Sequence, residues 1–163
     1  MMSIRLEPVT AHNRRQVLEL QVTKDQTTYI EQVEECLEEA AACRSWRPVG
    51  IYAEDTLVGF AMYGFFPEYR PFGRVWMDRL LIDARYQGRG YGRAAMEQLL
   101  IRLEATYHRR RIYLSVFPEN EAALQLYQSL GFRATGETDI HGEIVFMRQA
   151  SHREMRQIRR NLV

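Results

Sequence analysis

An α/β domain of the α+β kind, with a mixed, mostly antiparallel sheet of six or seven strands and about four helices, is predicted by three observations. Apolar runs of strand and helix period follow one another in the order β-α-α-β-β-β-α-β-α-β-β. Residues 49–52 and 57–63 flank the polar turn Glu54-Asp55-Thr56 as a hairpin. Residues 75–82 then pass through a glycine-rich turn into a helix-like run over 94–103, which makes a helical crossover.

Ile4 and Leu6 alternate with polar neighbours as a first strand, and residues 13–20 read as a short helix. Ile30, Val33, Leu37 and Ala40 mark a second helix, with glutamates around its other sides. Arg47-Pro48 is expected to close that region, because the residue before a proline avoids the helical conformation. After the hairpin, residues 67–71 form a loop and 75–82 a strand expected to be buried. In the next helix Ala95, Leu99 and Leu103 form a stripe with Met96 and Leu100 beside it. Residues 111–117 are a strand, and Asn120 opens a helix carrying Ala123, Leu126 and Leu130, with Gly131 as its C-terminal cap. Residues 132–135 and 144–147 are closing strands with a turn at Gly142. Residues 1–149 form the domain, and 150–163 are a basic, helical tail.

The chain has 163 residues, 46% hydrophobic and 26% charged, an ordinary balance for one soluble globular domain. No run of 18 apolar residues is present, so no membrane span is expected, and the first residues move straight into a strand pattern with no secretory signal. Cys36 and Cys43 make no disulfide framework and read as thiols in a reducing, cytoplasmic setting. The four histidines are scattered, so no metal is expected. Net charge is +1 but uneven: residues 1–60 balance at −4 and 148–163 at +4. A nucleic-acid binder would carry a larger basic excess, so the arginine-rich tail reads as a solvated helix.

The turn from Asp83 to Arg93 is the most informative stretch. Strand, glycine-rich turn and helix together make an anion cradle: glycines let backbone come close, and the first helical amides point unpaired N–H groups at the anion. Arg89 and Arg93 add positive charge. The dinucleotide pattern G-x-G-x-x-G fails because its third glycine falls on Arg93, and the P-loop fails because the only lysine is Lys24. The turn fits [RQ]-x-x-G-x-[GA] at Gln87, Gly90 and Gly92. It resembles the pyrophosphate loop of the GNAT superfamily of acetyl-CoA-dependent N-acetyltransferases.

A second motif extends the resemblance. Asn120, Ala123, Tyr127, Gly131 and Phe132 are similar to the GNAT pattern N-x-x-A-x-x-x-Y-x-x-x-G-F. Each also has a plain structural reading: Asn120 as a helix N-cap, Ala123 as a small packing residue, Gly131 as a cap, Phe132 as core, and Tyr127 at the edge of the helix's apolar stripe. The resemblance implies a GNAT-like fold over nearly all of 3–149, with a V-shaped opening between two central parallel strands. It implies acetyl-CoA as the bound cofactor, held by Leu80, Leu81, Ile82, Gln87, Gly88, Arg89, Gly90, Tyr91, Gly92, Arg93, Asn120, Ala123 and Tyr127.

Acetyl transfer to an amine needs a neutral nucleophile, a stabilised oxyanion and a proton for the departing thiolate. An amine of pKa about 10.4 is neutral about 0.04% of the time at pH 7, a cost of ~4.6 kcal/mol, so a base is useful. By the resemblance, Tyr127 protonates the thiolate, and a backbone N–H at a bulge in the strand segment 79–82 polarises the carbonyl. Asp78 is the candidate base; it either serves the site or pairs structurally with an arginine. Period-2 alternation groups it with Trp76 and Leu80. Asp83 is expected to cap the turn.

Several stretches narrow the acceptor: 48–52, 59–64, 66–69, 74–79, 111–115, and 136–139 with Gly142-Glu143. They are similar to bacterial spermine/spermidine acetyltransferases of the Blt type, which implies a polycationic amine as acceptor. Asp25, Tyr29, Glu31, Glu35 and Asp78 are candidates for its side of the site, with the remaining glutamates of the second helix, Asp139 and Glu143 behind them; a solvated helix face explains the glutamates equally. A homodimer is implied in the same way. Transfer to a protein N-terminus, a lysine or another small amine is the alternative, and a non-catalytic acyl-CoA sensor the remoter one.

Overall fold

The computed structural model describes residues 3–24 and 32–161. Among the described residues seven strands form one sheet: β1 (Ile4–Pro8), β2 (Trp46–Ala53), β3 (Thr56–Phe66), β4 (Arg74–Ile82), β5 (Arg111–Val116), β6 (Arg133–Thr138) and β7 (Ile144–Gln149). Their order across the sheet is β1-β2-β3-β4-β5-β7-β6. Five helices accompany them among the described residues: α1 (Arg14–Leu18), α2 (Val33–Ala42), α3 (Tyr91–Tyr107), α4 (Glu121–Ser129) and α5 (His152–Asn161). The expected element order is therefore realised. β1–β2, β2–β3, β5–β7 and β6–β7 pair antiparallel, whereas β4–β5 is parallel, with Val75 facing Ile112 and Trp76 facing Tyr113. No helix of the described residues is long and apolar enough to cross a membrane.

Chain packing divides into two compact units: Met1–Gly64 with Met77–Leu99, and Phe65–Trp76 with Leu100–Val163. In the first, Val33, Cys36 and Leu37 of α2 are buried with Val17, Leu20, Phe60, Met62 and Leu81, while Glu34, Glu35 and Glu38 stay exposed. The amphipathic reading of α2 holds for Val33, Leu37 and Ala40, Ile30 lying outside the described residues; Cys36 is buried and Cys43 half-buried. Arg47-Pro48 differs from expectation: Pro48 lies inside β2 rather than ending the region before it. β1 stops at Pro8, and Pro48 meets β1's continuation only as an acceptor, taking the Val9 N–H at 3.0 Å. Its missing N–H faces the same side, where no ladder needs a donor.

In the second unit, Ile112, Leu114 and Val116 of β5 are buried, as are Val145 and Phe146 of β7 and Phe132. The predicted stripe on α3 is buried in full, with Ala95, Met96 and Leu99 counted in the first unit and Leu100 and Leu103 in the second. β4 is less buried than its apolar run suggests, with only Val75, Met77 and Leu81 inaccessible. The tail forms α5, opened by a capping box in which Ser151 N–H donates to Glu154 Oε2 and Glu154 N–H to Ser151 Oγ. Met155 is buried, so this basic helix has a packed side.

Candidate active site

In the first unit, the end of β4 and the start of α3 are joined by a tightly fastened turn. Asp83 caps it: its Oδ1 accepts from the Arg85 N–H at 2.9 Å, and its Oδ2 from the Gln21 N–H at 3.1 Å. Burial pushes this carboxyl up, yet hydrogen bonds from the Arg85 side chain and N–H and from Gln21 outweigh it and hold it below its ordinary value. The Ala84 N–H returns to Gln21 O at 2.7 Å, which pins the segment after α1 to the turn. Gln87, the first motif residue, donates from Nε2 to Ile82 O at 2.9 Å and closes the turn on the strand it left.

The glycines that follow adopt the left-handed region, Gly88 at φ +75° and Gly90 at φ +84°. A Cβ at Gly88 would meet nothing within 4 Å, so that side of the turn is open. α3 begins at Tyr91, three residues earlier than its apolar pattern suggests. Its first closing bond runs from Ala94 N–H to Gly90 O, so the Tyr91, Gly92 and Arg93 amides are the donors at the helix start. Arg89 and Arg93 are exposed beside them, Arg89 lying 5.8 Å from the Tyr86 ring centroid. Open glycine backbone, three helix-start amides and two guanidinium groups suit a pyrophosphate.

Asp78 directly precedes a break in the extended backbone of β4. Arg79 has φ +52°, a left-handed backbone uncommon for a branched-chain-free but bulky residue and costly enough to mark a site. That conformation turns Arg79 back on its neighbour: its N–H donates to Asp78 Oδ1 at 3.1 Å, and its guanidinium forms an ion pair with the same carboxylate. The guanidinium also reaches Glu39 on α2 at 3.3 Å. Of the two roles left open for Asp78, pairing with an arginine is therefore present. Regular alternation would send residues 78 and 79 to opposite faces, so nothing in the sequence pattern announces this triad.

In the second unit, α4 carries the other motif. Asn120 caps it, its Oδ1 accepting from the Ala123 N–H at 3.3 Å. The C-terminal end is a Schellman motif: Phe132 N–H donates to Tyr127 O at 3.0 Å, Gly131 N–H to Gln128 O at 3.1 Å, and Gly131 takes φ +92°. The apolar contact that accompanies this cap is Tyr127 against Phe132, edge to face at 5.9 Å. Tyr127 is thus buried, 8% exposed, rather than at the stripe's edge, whereas Ala123, Leu126 and Leu130 are half-buried. The spacing Tyr-x-x-x-Gly-Phe is the spacing of this cap.

Among the acceptor candidates, Asp25, Tyr29 and Glu31 lie outside the described residues, and Glu35 is exposed on α2. Asp139 closes the last hairpin, its Oδ1 accepting from the His141 and Glu143 N–H groups, and Glu143 accepts from Ser115 Oγ at 3.1 Å. Among the described residues no group of His, Cys, Asp and Glu could hold a metal ion.

Residues 14–132 match the acetyltransferase (GNAT) family. The chain is 48% identical over 151 residues to the spermine/spermidine N(1)-acetyltransferase of Bacillus subtilis, covering 91% of this chain and 99% of that protein. Its fold is similar to that of aminoglycoside acetyltransferase AAC(6')-Ib in complex with coenzyme A, with TM-score 0.78 at 20% identity over 96% of this chain and 99% of that one. It is also similar to spermidine N-acetyltransferase from Vibrio cholerae in complex with CoA and spermine, with TM-score 0.66 at 18% identity over 88% and 92% of the two chains. The match over residues 14–132 and the near full-length identity to the Bacillus subtilis enzyme show that the chain belongs to the acetyltransferase (GNAT) family.

Proposed function

We propose that this protein transfers the acetyl group of acetyl-CoA to a primary amine of a polyamine, spermine, spermidine or a related diamine, by direct attack in a ternary complex. The observation that carries this reading is the 48% identity to the Bacillus subtilis enzyme across almost the full length of both chains. Acetyl-CoA, when bound, supplies the acetyl thioester. Gln87, Gly88, Arg89, Gly90, Tyr91, Gly92 and Arg93 hold its pyrophosphate through the amides and charges of the turn. Leu80, Leu81 and Ile82 offer strand backbone to the pantetheine arm, and Asn120 and Ala123 complete its contacts.

The chemistry falls to three groups of this chain. Arg79 breaks the regular run of β4 at φ +52° and its own N–H is engaged by Asp78. The next amide, that of Leu80, is the donor assigned to the thioester carbonyl, where charge builds during attack. The Asp78 carboxylate takes a proton from the incoming ammonium, which competes with the Arg79 guanidinium for it. The Tyr127 hydroxyl gives its proton to the departing sulfur. The protein acts in the cytoplasm, as a homodimer in this reading.

Release of CoA thiol with a panel of polyamines, short amines and peptides is the test. Spermine or spermidine should give the highest kcat/KM. Turnover with peptides alone would replace the polyamine by a protein acceptor. No thiol release from any acceptor, with Tm still raised by acetyl-CoA, would leave a binding module.

A further inference from the structure

A guanidinium held inside an aromatic cage stands apart from the machinery described so far. Arg74, the first residue of β4, places its Cζ 4.3 Å from the Tyr113 ring centroid, 5.1 Å from that of Tyr69 and 6.0 Å from that of Trp76. The rings also pack on each other, Tyr69 with Trp76 at 5.7 Å and Trp76 with Tyr113 at 5.6 Å. A carboxylate completes the cage, with Glu137 Oε1 3.1 Å from Arg74 Nη2. Three π-faces and one carboxylate around a single cation are the chemistry that recognises an alkylammonium.

Two further observations say that the cage is made for a cation and that its present occupant can leave. Trp76 Nε1 is buried and has no hydrogen-bond partner among the described residues. A phenyl ring would pack there without burying an unpaired donor, so the indole is kept for its face, the strongest of the cation-binding rings. The hold on Arg74 is open to exchange: Glu137 is 48% exposed at its side chain, and Tyr69 at the rim is 43% exposed. An ion pair of that exposure contributes little, so a second cation can compete with Arg74 for the cage.

We propose that the cage of Tyr69, Trp76 and Tyr113 with Glu137 is a binding subsite for a distal ammonium of the acceptor, and that Arg74 fills it until a polyamine displaces it. The inference rests on the polyamine reading. Arg74 is then a built-in competitor: a monoamine has no second charge to evict it, whereas a polyamine anchored elsewhere brings one at high effective concentration. The subsite therefore sets preference for acceptor length.

The test combines binding and kinetics. Trp76 is one of two tryptophans, so the Trp46→Phe background makes it the sole indole reporter. Spermine should change its fluorescence saturably, and Arg74→Ala should tighten that binding by about tenfold, the factor by which nine-tenths self-occupancy weakens apparent affinity. The KM of spermine relative to a short monoamine should fall in Arg74→Ala and rise in Trp76→Leu. If Trp76→Leu fails to fold, the gain of affinity in Arg74→Ala decides, since damage to the fold does not tighten binding. An Arg74→Ala protein with unaltered spermine affinity and an unaltered KM ratio overturns the inference. Spermine binding at Trp76 without acetylation of any polyamine would sink the proposed function and leave the subsite standing; neither binding nor turnover would sink both.

Discussion

Tyr127 owes its place to neighbours four and five positions on. Gly131 lets the chain reverse, Phe132 brings its ring against the tyrosine, and the Tyr127 carbonyl accepts from both Leu130 and Phe132. Tyr127→Phe should keep this packing and remove only the O–H. We expect turnover to fall by about 10²–10³-fold, within the range for a lost proton donor, while acetyl-CoA raises Tm as in the parent. Full turnover in that variant would remove Tyr127 from the chemistry. Asp78→Asn should move the pH–rate profile upward, because the acceptor must then lose its proton to solvent nearer its own pKa; an unmoved profile would leave Asp78 a partner of Arg79 alone. Both residues were visible in the sequence as candidates. Their surroundings were not, since burial of Tyr127 and the left-handed turn at Arg79 depend on contacts that no periodicity encodes.

At the scale of the element, ends proved more legible than extents. Asn120 and Gly131 announce the limits of α4 because capping is a local interaction between residues two to five apart. Gly131→Ala tests the cap cleanly: an added Cβ would meet Arg148 no closer than 3.8 Å, so the cost is backbone strain at φ +92° rather than collision. A loss of about 1–2 kcal/mol is expected from the urea midpoint, with activity reduced further if α4 frays under Tyr127. Local signals misled where a residue's surroundings reverse its usual meaning. Pro48 reads as a breaker, yet it fits inside β2 because β1 ends opposite it. The helical residues Tyr91, Gly92 and Arg93 read as loop because glycine is a poor helix former, although a helix's first turn tolerates it.

Across the molecule, the feature furthest from any sequence signal is the junction built on Arg148. From β7 it donates to Leu130 O at 2.9 Å beyond α4, to Glu104 Oε1 at 2.9 Å on α3 and to Glu154 Oε1 at 2.6 Å on α5. Glu104 is 3% exposed, and burial raises its pKa despite the Arg148 guanidinium. Arg148→Met would strand that carboxylate, so a loss of about 3 kcal/mol or more in urea unfolding is expected, partly restored by adding Glu104→Gln. The raised pKa fixes a sign for pH: between the ordinary value of 4.5 and the higher folded value, the folded chain holds the proton more tightly than the unfolded one. Stability should therefore fall as pH climbs through that window, and Glu104→Gln should flatten the slope. The order of strands and helices, the glycine turn and the two capped ends of α4 follow from the chain's own pattern, because they rest on periodicity and on interactions between near neighbours. The pairing of Arg79 with Asp78 and Glu39, the caged Arg74 and the Arg148 junction join residues up to 63 positions apart. Such contacts exist once the sheet has brought distant strands together, and the identity of each partner is settled by that folding rather than by any spacing along the chain.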